Sequence, residues 1–238
     1  DSIDEVIMGN VLSAGQGQAP ARQASFNAGL SENVPAVTLN KMCGSGLKSV
    51  IYAHDQIKAG TSELIAAGGM ESMTNAPYLS PKMRAGARVG HQQMYDHMFL
   101  DGLEDAYEPG RLMGTYAEDT AELFQFTREQ QDEYAIGSLN NALNAQKENA
   151  FEKEISPVTI KTRKGEITIK DDEQPKNAQP EKIPNLKPAF KKDGTVTAAN
   201  SSSISDGAAA LLISSEERAG ELSLPIRATI LGHTVHAQ

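Results

Sequence analysis

The sequence has 238 residues and is acidic, with 22 Lys and Arg against 31 Asp and Glu and a formal net charge of -9. Hydrophobic residues make up 39% of the chain, which is enough apolar material for a packed core and argues against wholesale disorder. The acidic balance argues against a nucleic-acid partner, because general nucleic-acid binders carry a basic surplus. No apolar run approaches the roughly 20 residues of a membrane span, so no membrane partner is expected.

The cysteine content and the opening residues indicate the compartment. Cys43 is the only cysteine, so an internal disulfide is excluded. The sequence does not open with a basic stretch followed by a short apolar run, the pattern of a signal peptide. These features predict a protein of the reducing cytoplasm.

Strand and helix signals alternate along the first seventy residues. Residues 5–8, 34–39 and 64–69 are short and apolar and predict buried strands. A helix is predicted from Pro20 to about Gly29, and Leu47 begins a second one with apolar residues at three- and four-residue steps up to Gly60. The alternation predicts an α/β fold layered around a central sheet.

The texture of the sequence changes after this region. Residues 73–107 show no sustained period and form a long irregular segment of a kind that often carries assembly or binding roles. Thr127 and Gln130 form a capping box that opens a helix to about Asn149. Segments 158–161 and 166–170 predict a polar hairpin.

The last part of the chain returns to apolar segments. A polar loop is predicted over 171–187, and a buried apolar strand over 206–213. Ser214 with Glu217 is expected to cap a further helix, and residues 229–238 are strand-like.

The segment Asn40–Leu47 is the most informative one for chemistry. It places Cys43 at a strand-to-helix turn, where unpaired N–H groups and the helix dipole favour an anion such as a thiolate. Gly44 and Gly46 would let an acyl group approach the backbone, and the Cys43 N–H could serve a developing oxyanion. The alternative interpretation is a buried structural cysteine.

The residues of this segment, Asn-Lys-Met-Cys-Gly-Ser-Gly, closely resemble the nucleophile segment of thiolases, specifically acetoacetyl-CoA thiolases (acetyl-CoA acetyltransferases). Four further segments resemble thiolase segments in the family's order. They are 15–23 (GQGQAPARQ), 68–73 (GGMESM), 112–118 (LMGTYAE) and 194–202 (GTVTAANSS). The resemblance covers essentially the whole chain.

The resemblance implies a two-step acyl transfer in lipid or ketone metabolism. The Cys43 thiolate would attack an acyl-CoA thioester, release CoA and hold the acyl group. A second acetyl-CoA, deprotonated at its α-carbon, would then form acetoacetyl-CoA by Claisen condensation, and the reverse reaction would cleave it. Coenzyme A thioesters are expected as substrates, with no permanently bound cofactor and no metal.

Further site residues follow from the resemblance alone. Met113 matches the methionine that lines the acyl pocket in the family. Leu112 stands where some members have a histidine. Apolar contacts to the pantetheine arm of CoA are expected from Leu103, Phe190 and Ala198, and a hydroxyl contact to it from Ser202. Lys176 is the expected basic residue near the adenine.

Three groups that the family uses are not matched. The motifs Cys-x-Gly-Gly-Gly, Gly-His-Pro and Asn-Glu-Ala-Phe supply a second cysteine, a histidine and an asparagine in thiolases, and none occurs in this sequence. The resemblance therefore implies an internal piece of a thiolase that lacks the extreme N-terminus and most of the C-terminal domain. Such a piece is expected to be inactive or strongly impaired in condensation.

The expected architecture is an incomplete layered α-β-α core half of the thiolase type with an inserted α+β loop domain. The boundaries are 1–73 for the N-terminal core, 74–204 for the loop domain, 205–225 for the returning strand and helix, and 226–238 for the start of the C-terminal core. The full-length parent is expected to be a homodimer or homotetramer. The competing hypothesis is a non-catalytic acyl-CoA binding or assembly module.

Overall fold

The computed structural model describes residues 2–236, which form two compact units. Unit 1 comprises the described residues up to Gly110 and from Ile204 onward, and unit 2 comprises Arg111–Ser203. The sequence-based domain boundaries stay a prediction. Across the described residues, no helix combines the length and apolar character that crossing a membrane requires.

Unit 1 is built on a four-stranded sheet with the strand order β2-β1-β3-β8. β1 (Glu5–Gly9) pairs in parallel with both β2 (Ala36–Leu39) and β3 (Leu64–Ser72), and β3 pairs antiparallel with β8 (Asp206–Ser214). α1 (Pro20–Asn27) and α2 (Ser45–Ala59) are the connections between the parallel strands. The mixed α/β class is therefore confirmed.

Alternation along β1 sends its side chains to both faces of the sheet, because successive residues of a strand point in opposite directions. Val6 and Met8 pack with Ala21 of α1, whereas Ile7 packs with Ala53 of α2. The two helices thus cover opposite faces, which gives the helix–sheet–helix layering. The carboxyl ends of β1, β2 and β3 consequently meet at one edge of this layer.

Both predicted helices of the first seventy residues are confirmed. Pro20 occupies the first turn of α1, where its missing N–H costs nothing. α2 ends at Gly60, which takes the left-handed conformation (φ 72°) that a residue with a Cβ adopts at a cost.

Between β3 and unit 2 the chain is mostly irregular, as expected. It forms the short pair β4 (Tyr78–Leu79) and β5 (Tyr95–Asp96), a 3-10 turn at Pro81–Ala85 and a π-helical turn at Phe99–Leu103.

Unit 2 contains α3 (Met113–Leu123), α4 (Arg128–Lys147) and the hairpin of β6 (Val158–Thr162) with β7 (Gly165–Ile169). The capping box and the hairpin are confirmed, since Thr127 and Gln130 exchange both hydrogen bonds. The predicted loop over 171–187 is wrong in part, because it contains α5 (Glu173–Asn177) and a 3-10 helix at Pro180–Asn185.

The prediction of a buried strand at 206–213 is wrong in its burial. β8 forms, but Leu211 and Leu212 are 57% and 56% exposed. The strand lies at the edge of the sheet and pairs with β3 alone among the described strands. Apolar composition signals a strand that favours burial, yet burial also requires a neighbouring element to cover it.

The cap of α6 (Glu216–Glu221) also differs from the prediction. Ser215, one residue later than expected, accepts a hydrogen bond from the Arg218 N–H. The strand-like stretch at 229–238 is irregular over 229–236, and residues 237 and 238 lie outside the described part. Nothing described pairs with that stretch in a sheet.

Candidate active site

The chain turns sharply between β2 and α2, and hydrogen bonds from short polar side chains hold this turn. Asn40 Oδ1 accepts from the Met42 N–H at 2.9 Å, and Ser45 Oγ accepts from the Lys41 N–H at 2.8 Å. Ser45 Oγ also donates to the Met42 carbonyl at 2.6 Å. Met42 takes a left-handed conformation (φ 49°), which a residue with a Cβ adopts at a cost. The turn is therefore held tightly in one shape.

Cys43 follows Met42 and lies immediately before Gly44, the N-cap residue of α2. Its side chain is exposed rather than buried in hydrocarbon, so the interpretation as a buried structural cysteine is wrong. The N-terminal turn of the 15-residue helix α2 favours negative charge close to this thiol. The predicted placement of the sulfur at the helix start is thus confirmed, while its catalytic role stays a prediction.

Glycines allow the start of α2 to lie against the ends of β1 and β3. A Cβ at Gly9 would lie 2.4 Å from the Ser45 carbonyl carbon, and a Cβ at Gly69 would lie 3.1 Å from the Gly46 Cα. Such distances leave no room for a side chain at Gly9. This close backbone contact fixes the position of the start of α2, and with it the position of Cys43, relative to the ends of β1 and β3.

A cleft of about 500 Å³ opens at this edge, with Cys43 in its wall. The wall is formed by the residues that follow β1, the turn before α2, and parts of β3 and β8. Gly102 and Leu103 of the π-helical turn complete it. The structure thus brings Leu103 and Cys43, two of the predicted site residues, to the same cleft.

Glu71 holds the strand-to-loop junction that forms one side of the cleft. Its carboxylate accepts from the Val11 and Leu12 N–H groups, both at 2.9 Å, and from Asn10 Nδ2 at 3.0 Å. Asn10 is 3% exposed, and its Oδ1 accepts no hydrogen bond from any residue in the range 2–236. That oxygen is a buried acceptor without a hydrogen-bond donor among residues 2–236.

His97 contacts the loop that follows β1 through a hydrogen bond with Ala14. The residue is 5% exposed, its Nε2 accepts from the Ala14 N–H at 3.3 Å, and its Nδ1 lies 2.6 Å from Asp101 Oδ2. Because Nε2 acts as the acceptor, Nδ1 carries the proton and donates to Asp101. Sequence reasoning missed both His97 and Glu71; the four-residue spacing of His97 and Asp101 was the available signal for the former.

One predicted site residue of unit 2, Met113, lies at the start of α3, and a second, Phe190, lies close to that helix start. Met113 is the first residue of this helix and is 43% exposed. The next residue, Gly114, lies under the ring of Phe190, since a Cβ at Gly114 would be 2.4 Å from that ring. The backbone of Gly114, next to Met113, therefore lies against the Phe190 ring within unit 2.

The loop after Phe190 is anchored by the buried carboxylate of Glu118 in α3. Glu118 is 4% exposed and accepts from the N–H groups of Thr195 and Val196, both at 2.9 Å. Asn200 closes the loop by accepting from the Thr197 N–H at 2.7 Å. The sequence alone gives no signal for this role of Glu118, because its partners lie 77 and 78 positions away.

The remaining predicted residues lie on exposed parts of unit 2. Ala198 and Ser202 flank the turn at Asn200, and both are exposed. Lys176, in α5, forms an ion pair with Asp171 rather than with another predicted site residue. The hydrogen bond from Lys176 holds the pKa of Asp171 below its ordinary value.

The fold and the site define a layered α/β protein with an exposed cysteine at the carboxyl edge of its sheet. Comparison with known protein families gives the family of this chain. Residues 1–217 match the family described as the N-terminal domain of thiolases. The chain belongs to the thiolase family.

Individual relatives agree with this assignment. A probable acetyl-CoA acyltransferase of Staphylococcus aureus (strain COL) is 49% identical over 236 residues, covering 98% of this chain and 60% of the relative. The Acat5 thiolase of Ascaris suum, crystallised in complex with coenzyme A, superposes with a TM-score of 0.86 at 44% identity. The acetyl-CoA acetyltransferase of Bacillus anthracis superposes with a TM-score of 0.88 at 38% identity.

Coverage differs between this chain and those proteins. Each of the two structural matches covers 94% of this chain but 57% of the other chain. The chain likewise spans about 60% of the length of the Staphylococcus aureus relative.

Proposed function

We propose that this chain carries the nucleophile of a thiolase-type acyltransferase, with Cys43 as the residue that is acylated. The Cys43 thiolate attacks the carbonyl carbon of an acyl-CoA thioester, the carbon–sulfur bond to CoA breaks, and CoA leaves as its thiolate. The acyl group remains on Cys43 as a new thioester. The observation that carries the proposal is the exposed thiol in the cleft at the start of α2.

The surroundings of Cys43 support this chemistry in two ways. The macrodipole is positive at the helix start and favours negative charge that develops there during attack. When the carbonyl oxygen of the thioester points at the turn, its peptide N–H groups can stabilise the oxyanion of the tetrahedral intermediate. The small residues Gly44 and Gly46 let the thioester reach the sulfur.

For the full-length protein we propose condensation of two acetyl-CoA molecules to acetoacetyl-CoA, and its reverse. Carbon–carbon bond formation needs a base that removes the α-proton of the second acetyl-CoA. The sequence contains a single cysteine, so Cys43 has no second thiol to perform that step. We therefore propose that the 238-residue chain is acylated but condenses slowly or not at all.

The proposed CoA-binding residues divide between the two units. Leu103 lies in the cleft with Cys43, whereas Met113, Phe190, Ala198, Ser202 and Lys176 belong to unit 2. The coenzyme A complex of the Ascaris suum thiolase supports coenzyme A thioesters as the substrate class. We also propose a cytoplasmic protein whose full-length form is a homodimer or homotetramer.

Incubation of the chain with acetyl-CoA tests the acylation step. Intact-protein mass spectrometry should detect one acetyl group, and chromatography should detect an equal amount of released CoA. Hydroxylamine should remove the adduct, because it cleaves thioesters and leaves acetyl-lysine amides intact. Cys43→Ser and Cys43→Ala should show neither the hydroxylamine-sensitive adduct nor CoA release.

The opposite result would have a clear meaning. If Cys43 stays unmodified while calorimetry shows that acetyl-CoA binds, the non-catalytic acyl-CoA binding module is the better description. If the chain forms acetoacetyl-CoA over many turnovers, the proposed loss of condensation activity is wrong.

A further inference from the structure

A second cluster of chemically active side chains lies away from the Cys43 cleft. His54 and Asp55 are adjacent residues of α2, and His233 belongs to the irregular segment 222–236. His54 Nδ1 lies 3.1 Å from Asp55 Oδ1, and His233 Nε2 lies 2.7 Å from the same oxygen. The two imidazole rings meet edge to face, with centroids 5.2 Å apart. Two imidazoles and one carboxylate thus converge on one point.

The spacing of the three ligand atoms is close to that of a metal site. His54 Nδ1, Asp55 Oδ1 and His233 Nε2 all lie within 4.8 Å of one another. Zinc–nitrogen bonds of about 2.0–2.1 Å keep the ligand atoms of a tetrahedral ion about 3.3 Å apart. The distances from Asp55 Oδ1 to His54 Nδ1 and His233 Nε2, 3.1 and 2.7 Å, differ from that spacing by less than an ångström.

The donor set also selects the kind of metal. Imidazole nitrogen favours Zn²⁺, Cu²⁺ and Ni²⁺, whereas Mg²⁺ and Ca²⁺ prefer sites composed of oxygen. Asp55 adds one carboxylate oxygen to the two imidazole nitrogens, which gives a mixed nitrogen and oxygen donor set. A neutral imidazole can shift its proton to the other ring nitrogen, which frees the lone pair that faces the ion.

Exposure of the cluster gives the ion a path of entry. The side chains of His54, Asp55 and His233 are 18%, 51% and 27% exposed. A fourth coordination position facing solvent can be taken by water, as in three-ligand zinc sites.

We propose that His54, Asp55 and His233 bind a divalent transition metal ion, with Zn²⁺ as the favoured ion, and that the ion clamps segment 222–236 onto α2. Within the described residues, the segment from 225 onward forms no helix or strand, and the side chain of His233 contacts Asp55 there. The metal would replace two hydrogen bonds by three coordinate bonds. The site is separate from Cys43 and independent of the proposed acyl transfer.

Isothermal titration of the 238-residue chain with ZnCl₂ tests the proposal. One ion per chain should bind, and the melting temperature should rise with zinc concentration, because a ligand that binds only the folded state stabilises it. His233→Ala and His54→Ala should each weaken binding at least tenfold, and Asp55→Asn should also weaken it. MgCl₂ in millimolar excess should not displace the zinc.

Two matched variants exclude other zinc ligands. His236→Ala removes an imidazole from the same segment, and Cys43→Ser removes the exposed thiol; both should bind zinc as the unmodified chain does. Circular dichroism should show that every variant keeps its secondary structure. Unchanged affinity in His54→Ala and His233→Ala, or loss of binding in Cys43→Ser or His236→Ala, would overturn the proposal.

Discussion

The backbone of Gly9, at the end of β1, lies directly against the backbone of Ser45, the first residue of α2. A Cβ added to Gly9 would be 2.4 Å from the Ser45 carbonyl carbon and 2.6 Å from the Gly46 nitrogen. Both of those atoms are backbone atoms at the start of the helix that follows Cys43, so neither can rotate away. This contact couples the sheet to the position of the candidate nucleophile.

Gly9→Ala should therefore destabilise unit 1. The added methyl group forces α2 away from β1, and overpacking of this kind costs roughly 1–3 kcal/mol. Urea unfolding followed by circular dichroism measures the change in the free energy of unfolding. An alanine variant as stable as the unmodified chain would contradict the close contact.

Gly137→Ala provides the opposite case within the same chain. Gly137 lies inside α4 and is exposed, and apart from the adjoining backbone of α4 no atom of residues 2–236 lies within 4 Å of an added Cβ. Alanine in the middle of a helix is more stable than glycine by about 0.5–1 kcal/mol. The urea midpoint should therefore rise, and a fall would show that the helix is constrained at this position.

Glu71→Gln should loosen the loop that borders the cleft. The amide replaces one acceptor oxygen by an NH₂ group facing N–H donors of Asn10, Val11 or Leu12. Hydrogen bonds to a charged acceptor are worth about 1.5–3 kcal/mol, so a loss within this range is expected. Hydrogen exchange at Val11 and Leu12 should accelerate, while exchange within α4 stays unchanged.

Glu118→Gln should destabilise the loop of unit 2 that follows Phe190. The two oxygens of the buried carboxylate accept from the Thr195 and Val196 N–H groups. In the amide, the NH₂ group replaces one of these oxygens and cannot accept. A loss of about 1.5–3 kcal/mol is expected in urea unfolding. Glu122→Gln is the matched control, since its ion pair with Lys191 is on the surface and should leave the midpoint unchanged.

Asp4 predicts a dependence of stability on acid pH. The N–H groups of Glu63 and Leu64 donate to its carboxylate at 2.6 and 2.9 Å, and they lower its pKa. Because the folded-state pKa is depressed, ionised Asp4 contributes its full stabilisation above the unfolded value of about 3.9. This contribution disappears as the pH falls through the folded-state pKa.

Urea midpoints at pH 7 and at pH 3 measure this effect in the unmodified chain and in Asp4→Asn. The variant should be less stable at pH 7, and the difference between the two proteins should shrink at pH 3. A difference that stays constant or grows on acidification would contradict the assignment.

The local elements of this protein follow from its sequence because they depend on neighbouring residues. Pro20, the capping residue Thr127 and the terminal Gly60 act within one or two turns of chain, and their helices begin or end where they predict. The placement of Cys43 ahead of α2 is equally local, since it follows from a strand followed at once by a helix.

Other features depend on which distant residues meet, and only the tertiary structure decided them. Glu71 binds a loop about 60 positions away, and His97 supports Ala14 across 83 positions. Leu211 and Leu212 have the apolarity of core residues but lie on an edge strand. A sequence records the affinity of a side chain for apolar or polar surroundings, whereas the partner that satisfies it is chosen by the packing of the whole chain.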